Sequence, residues 1–142
     1  MASTLPAQMV EPSSDTGAIA RHNESLAAAE RAFSSDAQKI GLGPAFAQYG
    51  SADAINLGGP SDSGLIVGNE AIAKSVGDGG PATGSAVSWG PDRVIVASSG
   101  DLGVSIGVIK RNAPVANQPG AFPFFTIWRR PSPAAPWRYI AE

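Results

Sequence analysis

The run from Phe122 to Arg130 constrains the fold more than any other stretch, because no other segment is so aromatic and so rich in β-formers. As a strand it places Phe124, Thr126, Trp128 and Arg130 on one face, and Phe125, Ile127 and Arg129 on the other. Both faces stay apolar until the arginines. Such a strand belongs in a sheet covered on both sides, with the arginines marking where it emerges into water. Pro123 has no N–H to give to a ladder, so regular pairing is expected from Phe124 onward.

The chain before this strand reads as helices first and strands afterwards. Residues 1–15 form a polar arm bearing proline and serine, and residues 16–142 form one domain. Ile19, Leu26, Phe33 and Ile40 fall seven apart, with His22, Ala29, Glu30 and Ala37 in the intervening turns. That spacing predicts an amphipathic helix over 16–40, capped by Asp15 or Thr16 and ended by Gly41 and Gly43. At about 1.5 Å per residue it is long enough to lie across a small sheet. A second helix over 44–49 follows, with Pro44 in its first turn, and a third over 68–76, capped by Asn69.

Between those two helices, residues 52–57 alternate as a strand, and 65–67 are briefly extended. Residues 86–89 and 93–97 flank Gly90 and Pro91, the pattern of one long strand with a bulge. Ser99, Gly100 and Asp101 turn it into a partner over 102–110, an antiparallel hairpin. Residues 137–140 supply the last strand. Helices followed by an antiparallel meander make an α+β order.

Composition narrows the chemistry. Hydrophobic residues make up 43% and charged residues 15%, the balance of a globular chain, and the formal net charge of −2 lacks the basic excess of nucleic-acid binders. Cysteine is absent and His22 is the only histidine, so thiol catalysis, disulfides and His-rich metal sites are excluded. A serine triad would need His22, which sits in a helical pattern between Arg21 and Asn23. The Gly-rich stretches at 58–64 and 77–84 lack the Gly-Lys-Ser/Thr ending of a phosphate-binding loop. No cofactor is expected. No apolar run reaches the roughly 18 residues of a membrane span, so no membrane contact is expected. The compartment stays open between the cytoplasm and, should Met1 replace a removed signal peptide before the small residues 2–8, the periplasm or exterior.

Several short motifs occur in a telling order: Ala29-Glu30-Arg31-Ala32-Phe33, Ala45-Phe46 with Tyr49, Asp53-Ala54, and Gly68-Asn69-Glu70-Ala71-Ile72. They continue with Ser99-Gly100-Asp101-Leu102-Gly103, then Thr126-Ile127-Trp128-Arg129-Arg130 and Trp137-Arg138. In this order the chain resembles the nuclear-transport-factor-2-like superfamily, and within it the bacterial SnoaL-like and ketosteroid-isomerase-like domains. The resemblance runs from Ile19 to Tyr139. It implies a cone-shaped, cystatin-like α+β fold, a curved antiparallel sheet wrapped around the long first helix with a pocket at its open end. It also implies a homodimer through the outer sheet face. Members include isomerases, cyclases, dehydratases, hydrolases and proteins without activity, so the fold leaves the chemistry undecided.

Three functions compete: a binding domain for a small apolar ligand, a ketosteroid-isomerase-like or cyclase-like enzyme using a pocket carboxylate for proton transfer, and a non-catalytic dimeric accessory module. The resemblance directs attention to a carboxylate in an apolar pocket, where desolvation raises its pKa. Asp36, between Phe33 and Ile40, borders the helix face that would look into the cone, and Tyr49 would donate a phenolic hydrogen bond. The competing reading of Asp36 is a solvated carboxylate near Lys39. Phe33, Asn56, Trp89, Phe124 and Trp128 are the candidate pocket lining, with core filling as the alternative for the aromatics. Asp53 and Asp101 read as turn residues, and Gly103, Ser105 and Gly107 as a small-residue stripe that leaves room for a ligand or lets a helix approach.

Overall fold

The first helix, α1 (Thr16–Ile40), occupies the span predicted by the heptad-spaced apolar residues. The computed structural model describes residues 10–58, 64–77 and 84–142. Asp15 caps α1 by accepting the Gly17 amide at 2.8 Å. Gly41 ends it with φ 100°, a conformation that suits glycine, and the chain turns at once into α2 (Leu42–Tyr49). That helix therefore starts at Leu42 rather than Pro44, and Gly43 lies inside it.

The remaining elements are β1 (Gly50–Leu57), β2 (Leu65–Val67), α3 (Asn69–Val76), β3 (Val87–Val96), β4 (Leu102–Arg111), β5 (Ala121–Arg129) and β6 (Arg138–Ala141). Asn69 does not cap α3. Gly68 takes that position with φ 98°, while the Asn69 side-chain amide donates to the Ala47 carbonyl at 2.8 Å and ties α3 to α2. Much of the Gly-rich stretches at 58–64 and 77–84, and residues 1–9 of the arm, lie outside the described residues.

The six strands form one sheet in the order β2-β1-β6-β5-β4-β3. Strands β3 to β6 run as the expected antiparallel meander, but β6 then lies parallel to β1 and joins it to the sheet. The bulge predicted at Gly90-Pro91 falls between Pro91 and Arg93. It brings the Gly90 carbonyl so close to Gly107 that a Cβ there would sit 2.1 Å from the oxygen. On the same stripe a Cβ at Gly103 would meet the Leu26 side chain at 2.7 Å, so part of the stripe serves helix approach.

The sheet curves around α1, and Phe33 occupies the centre of the core with no exposed surface. Its ring lies 4.9 Å from those of Phe46, Tyr49 and Trp89, with Trp128 and Tyr139 close behind. Each fully buried aromatic contributes about 1.5–3 kcal/mol through the surface it removes from water.

Three expectations about the aromatic strand are corrected. β5 begins at Ala121, with Pro123 opposite Val108, so the proline is accommodated within the pairing. Only one face is covered by this chain: Thr126 and Trp128 are buried, whereas Phe125 on the other face is 61% exposed. Arg130 does not emerge into water. It is 5% exposed, donates to the Gly100 carbonyl at 2.6 Å, bonds Ser25 and His22, and stacks over Trp137 at 4.1 Å.

Candidate functional site

The curvature of the sheet leaves a cavity of about 530 Å³ beside the core. Leu42 and Phe46 of α2 and Val76 of α3 close one side; Trp89, Ile109, Phe122 and Phe124 from β3, β4 and β5 form another. The polar groups in its wall are Asn56 of β1, Thr126 of β5 and Glu142, which follows β6. Glu142 is the only ionisable residue lining this cavity among the described residues.

Strand pairing puts Glu142 there. Its amide donates to the Ile55 carbonyl at 3.1 Å and its own carbonyl oxygen accepts from Leu57, so the β6 backbone continues beside β1. A register shift between Ile127 and Trp128 in the β5–β6 pairing leaves Glu142 near Thr126, whose hydroxyl donates to its carboxyl at 3.1 Å. Burial, and then the charge of Glu30, push the Glu142 carboxyl up to about 8.

Glu30, on the buried side of α1, lies behind the cavity wall with no exposed surface. Its carboxyl accepts from Trp89 Nε1 at 2.7 Å, from Trp128 Nε1 at 2.9 Å and from the Ser105 hydroxyl. Burial raises its pKa, and the three donors offset part of that rise. Trp89 thus has its ring in the cavity wall and its N–H on a buried carboxyl.

Of the predicted lining residues, Asn56, Trp89 and Phe124 border this cavity. Phe33 and Trp128 do not; both are fully buried, Phe33 amid the other rings and Trp128 against Glu30 and Ser105. Asp36 and Tyr49 are brought together, but away from this cavity's lining. The Tyr49 hydroxyl donates to Asp36 at 2.6 Å, and Lys39 pairs with the same carboxylate at 3.5 Å. Burial, and next the bond to Asp36, push the Tyr49 phenol up to about 12. The pair fastens α1 to α2, which is a structural reason for both residues.

Asp53 lies on the outer sheet face, where bonds from the Ser51 hydroxyl and Arg129 lower its pKa. Asp101 accepts from the Ser99 hydroxyl in the β3–β4 turn. Sequence reasoning passed over Glu30 and Glu142. Glu30 sits four residues after Leu26 and three before Phe33, on the apolar stripe, and that position was its signal. Glu142 had none. Among the described residues, no group of three or more histidines and carboxylates is gathered to hold a metal ion.

No protein-family model matches the chain, and no curated protein matches it by sequence. Solved structures do. It is similar to a ketosteroid isomerase-like protein from Erwinia carotovora atroseptica, at TM-score 0.56 and 16% identity over 89% of this chain and 94% of that one. It is also similar to a cystatin-like fold protein from Burkholderia xenovorans, at 0.51 and 18% over 89% of each chain. A protein of unknown function with a cystatin-like fold from Nostoc punctiforme matches at 0.52 and 13% over 79% of this chain and 81% of that one. Together with the curved six-stranded sheet around a long first helix, these likenesses show that the chain has the cystatin-like α+β fold.

Proposed function

We propose that this protein binds a small, mostly apolar molecule in the cavity between its helices and the sheet. One observation carries the reading: a half-open cavity of about 530 Å³ is lined mostly by aliphatic and aromatic side chains, with the polar side chains among the described residues confined to Asn56, Thr126 and Glu142. Small-molecule sites combine an apolar wall of this kind with a few orienting polar groups. Native mass spectrometry of the purified protein, and titration with the neutral dye Nile red followed by tryptophan fluorescence, test it. Retained ligand mass or saturable quenching is expected in the wild type, and loss of both in Val76→Trp, whose indole fills the space. A folded wild type showing neither sinks the reading.

A second reading, a proton-transfer enzyme of the isomerase or cyclase kind, is favoured by one observation. The Glu142 carboxyl, raised to about 8, holds its proton at neutral pH and can exchange it within an apolar wall. The acid–base role expected of Asp36 falls to Glu142 in this reading. Exchange of the α-hydrogens of an apolar ketone in deuterated water, followed by NMR, is expected to accelerate with wild type and not with Glu142→Gln. Equal rates for the two proteins eliminate it.

The homodimer is proposed on the outer sheet face. Ile95, Val104 and Ile127 lie in one row across β3, β4 and β5, and Ile106 opposes Phe125 in the next. Ile95, Ile106 and Phe125 are 49%, 38% and 61% exposed, which leaves an apolar patch in water. Such a dimer, if it has no ligand, is the non-catalytic accessory module. Sedimentation at micromolar concentration should give twice the chain mass, and Phe125→Glu the mass of one chain. A wild-type monomer overturns the proposal.

A further inference from the structure

The chemistry of the cavity wall narrows the ligand class, a step that rests on the apolar-ligand reading above. We infer that the cavity takes an organic cation, an alkyl or arylalkyl ammonium or a quaternary ammonium, with its charged head at the Glu142 carboxyl and its apolar body against Phe46, Trp89 and Phe124.

Among the described residues the one ionisable group in the wall is an acid, Glu142, and no Lys, Arg or His lines it. The next ionisable group behind the wall is again a carboxyl, Glu30, and its charge acts on Glu142. Once Glu142 ionises it repels an anion and pairs with a cation, and that cation offsets the Glu30 charge that raises its pKa. Glu142 also has unused capacity. Its side chain receives one hydrogen bond among the described residues, from Thr126 to Oε1, which leaves Oε2 for a ligand.

Trp89 adds a second attraction. Its indole N–H donates to Glu30, which pushes electron density onto the ring, and that ring is in the cavity wall. Glu142 interacts with Thr126 on β5, with Glu30 on α1 and with Tyr139 on β6, and shares the wall with Asn56 on β1 and Trp89 on β3. The Tyr139 phenol, raised by burial and by Glu142's charge, donates to the Phe46 carbonyl at 2.7 Å and stays neutral. None of them supplies a competing cation.

Magnitudes favour a cation over a neutral hydrogen-bonding ligand. With its pKa near 8, Glu142 must lose its proton to form the pair, which at pH 7 weakens binding about tenfold. An ion pair flanked by an aromatic face strengthens binding on the order of a hundredfold. A neutral ligand gains one ordinary hydrogen bond from the protonated carboxyl.

The test compares benzyltrimethylammonium, which cannot titrate, with its uncharged isostere neopentylbenzene, by tryptophan fluorescence from pH 6 to 9.5. The cation is expected to bind at least tenfold more tightly than the isostere at pH 9. Its affinity should rise as Glu142 ionises, by up to about tenfold per pH unit, and level off above about pH 8. Glu142→Gln should remove both the pH dependence and the preference, and the wild-type pH series stands without the variant. An isostere that binds as tightly as the cation throughout, or a cation affinity flat with pH, overturns this inference and leaves the apolar-ligand reading standing. Binding of neither probe overturns both.

Discussion

Ser105 and Thr126 oppose each other across β4 and β5, and each hydroxyl holds a different carboxyl, Ser105 that of Glu30 and Thr126 that of Glu142. Two adjacent positions on the inner sheet face therefore organise both acidic groups. One is sealed beneath tryptophans and the other lines the cavity, so their expected effects on the protein differ.

Glu30→Ala is expected to be strongly destabilising. It removes the acceptor for Trp89 Nε1, Trp128 Nε1 and the Ser105 hydroxyl. Leaving buried donors unmet costs about 1–3 kcal/mol each, so a loss on the order of 3–5 kcal/mol is expected, allowing for the remaining Trp128–Ser105 bond at 3.1 Å. Urea unfolding measures it, and a change under 1 kcal/mol would contradict the hub role of Glu30. Glu30→Gln retains an acceptor oxygen and should lose less.

The pH dependence of stability should carry the signature of Glu142. Burial, and then the charge of Glu30, push its carboxyl up to about 8 in the fold from the ordinary glutamate value of about 4.5 in the unfolded chain. A raised folded pKa means the stabilising contribution is complete below about pH 4.5 and is lost as pH climbs to about 8. Stability should fall across that window by an amount on the order of a few kcal/mol. Glu142→Gln should flatten the Glu142 contribution and be more stable than wild type at pH 8.5. Equal urea midpoints for both proteins at that pH would refute the shift.

At Gly107 the bulge leaves no room for a side chain. Gly107→Ala would place a Cβ 2.1 Å from the Gly90 carbonyl and 2.9 Å from the Phe124 ring. Backbone must move, at a cost of about 1–3 kcal/mol. Thermal unfolding should show a clearly lowered midpoint, whereas Gly120→Ala, with open space around it, should leave the midpoint nearly unchanged.

Arg130→Lys should prove far from conservative. The guanidinium reaches the Gly100 carbonyl, Ser25 and His22 while stacking on Trp137, and an ammonium cannot copy that fork. A loss of about 2–3 kcal/mol in urea unfolding is expected. Arg129→Lys, on an exposed pair with Asp53, should leave the urea midpoint nearly unchanged.

Local patterns were legible where local geometry decides. The seven-residue spacing of Ile19, Leu26, Phe33 and Ile40 determined α1, and Ser99-Gly100-Asp101 determined the β3–β4 hairpin, because helix periodicity and tight turns depend on neighbours in the chain. Residue order sufficed for an α+β fold. The sequence even put Glu30 on the buried stripe, but its donors stand 59, 75 and 98 residues away, and no local pattern foretells them. Only the tertiary structure decided that β6 pairs with β1, which carries Glu142 into the cavity wall, and that Arg130 turns inward onto Trp137. It likewise bound Asp36 to Tyr49 across α1 and α2, outside that wall. The physical reason is common to all three: pairing between elements sets which side chains meet and which lose water, and for Glu142 that loss of water raises the carboxyl's pKa.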